Sequence, residues 1–172
     1  MSVREEVTQA AAETKRQYGA DADRPLGAFV TLMAAYGGAL GAVAGAARLA
    51  GRTVPEPTPW DVLLLAGATH RLSRLITKDA VTSPLRAPFT RFEGTAGPSE
   101  TAEEVRGSGA RKAVGELVTC PFCTSLWIVT GCAAGLVFAP GPTRLAAGAL
   151  SALTLSDLLH FARVRAQHAA GE

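Results

Sequence analysis

Cys120-Pro-Phe-Cys123 brings two thiols within one helical turn of each other. That spacing serves two chemistries. At a helix N-terminus the dipole favours thiolate and Pro suits the first helical position, so the pair fits dithiol–disulfide exchange. The same two thiolates also make half of a zinc site, which wants four ligands. Glu116 lies four residues before Cys120, on the same helical face, and is a candidate further donor. Cys132 lies nine residues beyond Cys123 and the three His are scattered, so the remaining zinc ligands would have to come from a second copy. No strand pattern precedes the motif, which weighs against a thioredoxin-like setting. A third reading needs no chemistry: two small side chains pack at a helix start. A cytoplasmic setting disfavours a stable disulfide. As a functional pair the cysteines therefore point to zinc shared across a dimer before dithiol exchange.

A second constellation lies in apolar surroundings. Asp157 and His160 sit three apart on one face of the C-terminal apolar segment. His70, Arg71 and Arg74 sit on another segment, where Arg71, Arg74 and Lys78 follow i, i+3, i+7. Charge inside a membrane is costly and is usually paired. The economical expectation is an ion pair from Asp157 to Arg71 or Arg74; a proton or ion relay is the sharper alternative.

These residues need elements to hold them, and the charge pattern shows which. No charged residue occurs from Pro25 to Ala47, from Leu117 to Thr143 or from Leu145 to Ser156. A membrane helix needs roughly 20 mostly apolar residues. The expected fold is therefore all-α: a membrane bundle of about four transmembrane helices, over about 26–47, 60–77, 117–139 and 143–162. The first apolar run reads as a retained anchor rather than a cleaved signal. Residue 60–77 is the ambiguous span, because its second half is basic on one face; an interfacial helix is the alternative. Gly37-x-x-x-Gly41-x-x-x-Gly45 in the first span is a small-residue stripe that lets helix backbones approach closely. Ala139-Pro-Gly-Pro142 makes the last two spans an antiparallel pair.

Three regions follow. Residues 1–24 are a polar amphipathic helix or tail, opened by the capping box Ser2-Val-Arg-Glu5. Residues 25–165 are the membrane domain, interrupted by a polar loop at 79–116 whose glycines predict flexibility, with a short helix near 99–105. Residues 166–172 are a C-terminal tail. Of the 17 basic residues, 14 lie in the N-terminal tail, the long loop with its basic flank, and the C-terminus. The positive-inside rule then places both termini and the loop in the cytoplasm of a cell-membrane protein.

The run His70-Arg-Leu-Ser-Arg-Leu-Ile-Thr-Lys-Asp79, then Pro84-Leu-Arg-Ala-Pro-Phe89, Glu93 and Cys-Pro-Phe-Cys-Thr-Ser-Leu-Trp127, resembles an uncharacterised family of small bacterial multi-pass membrane proteins. It is the domain of unknown function numbered thirteen-sixty. The resemblance covers about residues 60–165 and singles out Asp79, Arg86, Glu93 and Trp127. It implies a multi-pass membrane protein and no activity.

Net charge is only +2, so nucleic acid is not an expected partner. No Ser-His-Asp set, P-loop or dinucleotide fingerprint is present, and no catalytic residue is assigned. The expected role is a non-enzymatic anchor or adaptor in the lipid bilayer. It presents its cytoplasmic surface to a protein partner or a second copy. A thiol or zinc site at Cys120 and Cys123, or an oligomeric transporter or holin-like pore, are the alternatives.

Overall fold

The structure, a computed structural model, describes residues 2–19, 24–97 and 100–171. Helix α1 spans Val3–Gly19. Its capping box is formed: Ser2 N–H donates to Glu5 Oε2 at 2.7 Å and Glu5 N–H to Ser2 Oγ at 3.4 Å. Then come α2 (Leu26–Leu49), α3 (Pro59–Thr77), a 3₁₀ turn at Ala80–Thr82 and the short α4 (Ser83–Arg86). A hairpin follows, β1 (Thr90–Gly97) and β2 (Glu100–Val105), and then α5 (Gly109–Thr119), α6 (Pro121–Phe138) and α7 (Pro140–Ala170).

Helices α2, α6 and α7 are long and apolar enough to cross a membrane. At 1.5 Å per residue they measure about 36, 27 and 46 Å. The expected second span, α3, is not among them by hydropathy, because charge interrupts its apolar run. It nonetheless lies at the centre of the bundle, packed against both α6 and α7. Its Thr58-Pro-Trp-Asp61 start is a capping box in which Asp61 is buried, with Asp61 N–H donating to Thr58 Oγ1 and Thr58 N–H to Asp61 Oδ2, both at 3.1 Å.

Two pairs of parallel helices emerge from the contacts. Asp61 meets Arg144, Ser151 Oγ donates to Leu64 O at 2.7 Å, Thr154 Oγ1 donates to Gly67 O at 2.9 Å, and Arg71 meets Asp157. Residue numbers rise together, so α3 and α7 run the same way. Helices α2 and α6 also run together. Arg24 lies 3.4 Å from Glu116, the Tyr36 ring meets Trp127 edge-on at 5.2 Å, and the Tyr36 and Thr130 hydroxyls are 2.8 Å apart. The starts of α2 and α6 therefore share one end of the bundle with the finishes of α3 and α7.

The glycine stripe of α2 makes none of these contacts. A Cβ built at Gly37, Gly41 or Gly45 meets no neighbouring atom within 4 Å. Helix α2 instead meets α6 through the Tyr36 side, so within one chain the stripe faces outward. Close approach falls elsewhere: a Cβ at Gly67 would stand 2.5 Å from Ser151 Oγ, and one at Gly135 2.6 Å from Thr143 Oγ1.

The polar loop at 79–116 is a folded cap. Residues 100–105 form a strand and not the expected short helix. The two strands are antiparallel, with a bulge between Phe92 and Gly94, where Gly94 takes φ +149. Thr101 N–H donates to Lys78 O at 2.9 Å and Arg106 N–H to Phe89 O at 2.9 Å, tying the hairpin to the end of α3 and to the turn before β1. The expected third span also starts late. Cys120, at φ −100 and ψ 108, leaves the helix because a residue before Pro avoids the α region. Residues 109–119 thus form α5, with Ala113 and Gly115 buried and Gly115 against Val105 and Phe89 of the cap, and the apolar helix begins at Pro121. Helix α7 runs past 162 to Ala170, through most of the expected C-terminal tail.

Candidate functional site

At the cap end, α3, α7 and the cap line a charged groove of about 660 Å³. Helix α3 supplies His70, Arg71 and Arg74, and α7 supplies Asp157 and His160. The cap closes one side with Asp79 and Glu100. Arg71 Nη1 donates to Asp157 Oδ2 at 3.0 Å, and its Nη2 lies 3.7 Å from Asp79 Oδ2. Of the two partners expected for Asp157, Arg71 is the one in contact. Arg74 reaches into the cap instead and pairs with Glu100. The Arg71–Asp157 bond is half-buried, and interhelical polar pairs in membranes average about 0.6 kcal/mol. In a double-mutant cycle of Asp157→Asn with Arg71→Gln, thermal melting in detergent should show coupling of about 0.5–2 kcal/mol. The Asp157→Asn, Arg74→Gln cycle should be additive.

The opposite end of the same helix pair is closed by a second ion pair. Arg144 Nε donates to Asp61 Oδ1 at 2.7 Å and Nη2 to Oδ2 at 3.1 Å, and Asp61 is only 2% exposed. Between the two ends the helices touch through Gly67, Ala68, Ala147 and Ser151, with Ala68 and Ala147 buried.

Beneath the groove lies Arg86, whose side chain is wholly buried. Every N–H of its guanidinium has an acceptor. Nε donates to Glu103 Oε2 at 3.0 Å; Nη1 donates to Ile76 O at 2.7 Å and Thr82 Oγ1 at 2.8 Å. Nη2 donates to Asp79 O at 3.1 Å, Thr101 Oγ1 at 2.9 Å and Glu103 Oε1 at 2.7 Å. Ile76 O is one of the carbonyls that a helix end leaves without an intrahelical partner. Arg86 thus caps α3, where a cation also complements the helix dipole, and clamps the hairpin to it. Glu103 accepts further bonds from Thr90 Oγ1 at 2.8 Å and Thr101 Oγ1 at 3.0 Å. Burial raises the Glu103 carboxyl pKa, but the bonds from Arg86, Thr90 and Thr101 outweigh it and leave it below its usual 4.5.

The remaining singled-out residues separate. Cys120 is the N-cap of α6, its Sγ accepting from Cys123 N–H at 3.2 Å, and both thiols are free. Glu116 is engaged by Arg24. Among the described residues no three His, Cys, Asp or Glu side chains are grouped to hold a metal ion. A zinc site at Cys120 and Cys123 therefore calls for ligands from a second chain. Asp79 contributes its carbonyl to Arg86, Trp127 joins α6 to α2, and Glu93 stands exposed at the β1 bulge. Sequence reasoning missed Asp61, Glu100, Glu103 and Ser151. Only Asp61 carries a local signal, the Thr58-x-x-Asp61 capping spacing.

The arrangement that holds this site is the part of the chain that a known family matches. A family described as a protein of unknown function, DUF1360, matches residues 64–163, 100 of the 172. The chain belongs to the DUF1360 family. The matched stretch runs from mid-α3 through the cap to α7, so the DUF1360 region includes the groove, Arg86 and the cysteine pair but leaves α1 and α2 outside. Among curated proteins, the chain is 36% identical over 69 residues to a protein named sporulation protein YjcA of Bacillus subtilis (strain 168). That match covers 38% of this chain and 58% of the relative. No solved structure matches the chain.

Proposed function

We propose that this DUF1360 protein is a four-span integral membrane protein that anchors or adapts a partner through its cytoplasmic cap, without chemistry of its own. The observation that carries this reading is the buried Arg86 clamp. It joins the hairpin to α3 and turns a polar connection into a fixed platform. Exposed apolar side chains stand on that platform: Phe92 on β1, 64% exposed, Val81 in the 3₁₀ turn and Leu85 on α4. Apolar groups held out from a small polar fold suit a protein contact or the membrane surface.

Helix α3 is the fourth span in this reading. It runs beside α7 from Asp61 to Arg71, and the Arg144 and Asp157 partners make its charges tolerable in a bilayer. Trp60, exposed at its start, suits the far interface. Tight contact along α3 and α7, with an ion pair at each end, favours an anchor over a pore through one chain. The similar protein is named for sporulation, and a part in that process is carried over here only as a proposal for the shared segment.

Single-cysteine chains test the topology. With the three native cysteines replaced, Thr53→Cys should react with a membrane-impermeant maleimide in intact cells, and Thr95→Cys only after permeabilisation. Labelling of Thr95→Cys from outside reverses the orientation and ends the proposal. A photo-crosslinking residue in place of Phe92 should give a discrete protein adduct, while one in place of Leu153 should give only lipid. Identical products at the two positions would remove the platform.

A further inference from the structure

The hairpin of the cap is open along one edge. Among the described residues β1 pairs with β2 alone. Arg106 N–H donates to Phe89 O, and hydrogen-bonded and non-hydrogen-bonded pairs alternate along an antiparallel ladder. The alternation turns the backbone N–H and C=O of Thr90 and Phe92 away from β2, toward the open edge. The far edge of β2 is occupied instead, because Thr101 N–H donates to Lys78 O. Along the open edge the side chains read Arg91-Phe92-Glu93. All three are exposed, and Arg91 and Glu93 make no ion pair or side-chain hydrogen bond among the described residues. A free strand edge of this kind is a template for another strand.

We propose that β1 pairs antiparallel with β1 of a second copy, with the two-fold axis at Phe92, so that two hairpins join into one four-stranded sheet. The strand is complementary to itself about that residue. Arg91 stands opposite Glu93 of the second copy, and Glu93 opposite Arg91 of the second copy, so both cross-strand pairs are of opposite charge. On its other side Arg91 faces Glu104 of β2, and the row across the sheet alternates in sign. Phe92 meets Phe92 of the second copy, which covers two rings that a single chain leaves exposed. The register is specific. A slip by one residue sets a charge opposite Phe92, and a slip by two sets like charges opposite each other. The bulge after Phe92 keeps the pairing short. It closes at two copies, because it uses the open edge of each. A short edge suffices in a bilayer, which holds both copies in one orientation and raises their effective concentration. The proposal rests on the cap as a docking platform and names its occupant.

The test uses the full chain with its three native cysteines replaced. Residues paired at a hydrogen-bonded position have Cα atoms about 5.5 Å apart, within disulfide reach. Phe92→Cys should therefore cross-link to a covalent dimer when membranes are treated with a mild oxidant. Thr95→Cys lies three residues from the axis on each chain, about 20 Å from its counterpart, and should not. In detergent, with mass followed by light scattering, Arg91→Glu and Glu93→Arg should each weaken association about tenfold, since each sets like charges opposite at two symmetric places. Both changes in one chain should restore the dimer. Equal cross-linking at the two positions, no cross-link at Phe92→Cys, or a dimer indifferent to both reversals overturns the proposal. A photo-crosslinking residue in place of Phe92 separates it from the platform reading, with an adduct of two chains expected. An adduct with a different protein removes the second copy and leaves the platform, while the absence of any protein adduct removes both.

Discussion

Replacing Arg86 by Met should cost about 3–5 kcal/mol, because it leaves Glu103 buried without its countercharge. The consequence is local before it is global. Thr101 Oγ1, Asp79 O and Ile76 O lose donors together with Glu103. Among the described residues, the hairpin is then held to α3 by the Thr101–Lys78 bonds and the half-exposed Arg74–Glu100 ion pair alone. Hydrogen exchange should accelerate through β2 and the last turn of α3, while α6 and α7 keep their protection. Arg86→Lys should rescue little, since one ammonium with three donors cannot serve the six acceptor atoms that the planar fork of five reaches. Arg86→Met combined with Glu103→Leu should be milder than either single change, because no buried charge is left alone.

The same clamp sets a pH dependence. Glu103 titrates lower in the folded cap than its usual 4.5. Its contribution is therefore complete above about pH 4.5 and is lost as pH falls through the lowered folded value. The melting temperature of the intact protein should drop across that acid window more steeply than that of the double variant. Equal slopes, or unchanged β2 exchange in Arg86→Met, would show that the cap is held by something else.

The clamp also explains what was legible in the sequence and what was not. Long uncharged runs mark α2, α6 and α7 directly, since a helix long and apolar enough to cross a membrane has to keep charge out of about 20 residues. The helical spacing of Arg71 and Arg74, and the position of Asp157, announce polar pairing between the second and fourth segments. The hairpin escaped because strands are read from alternating apolar residues, and here the inward side chains of β2 are Thr101 and Glu103. They face a guanidinium instead of an apolar core. The glycines that suggested flexibility serve shape instead: Gly94 permits the bulge and Gly115 lets α5 approach Val105, where a Cβ would stand 2.5 Å from Cγ1. The Arg86–Glu103 partnership has no sequence signature, because 17 residues and two turns separate its members.

The glycine stripe of α2 has no neighbour within its own chain, and a matched pair of substitutions separates it from the glycine that does. Gly67→Val should destabilise strongly, and Gly41→Val should leave the monomer's melt nearly unchanged. A Cβ at Gly67 would stand 2.5 Å from Ser151 Oγ, 2.8 Å from its Cβ and 3.1 Å from its Cα. The backbone of α7 lies behind that hydroxyl, so no rotamer change relieves the clash. Separating the helices also weakens the bonds from Ser151 to Leu64 O and from Thr154 to Gly67 O. Overpacking alone costs about 1–3 kcal/mol, and each interhelical bond adds about 0.6. Ser151→Ala should recover part of the loss in Gly67→Val by removing the nearest atom, at the expense of one bond. At Gly41 nothing of the same chain lies within 4 Å, so a Val there meets only what surrounds the bundle. Repetition at spacing four made the α2 stripe conspicuous, but close packing needs only one small residue opposite another helix. In this chain Gly67 occupies that place, on a helix whose charges disguise it.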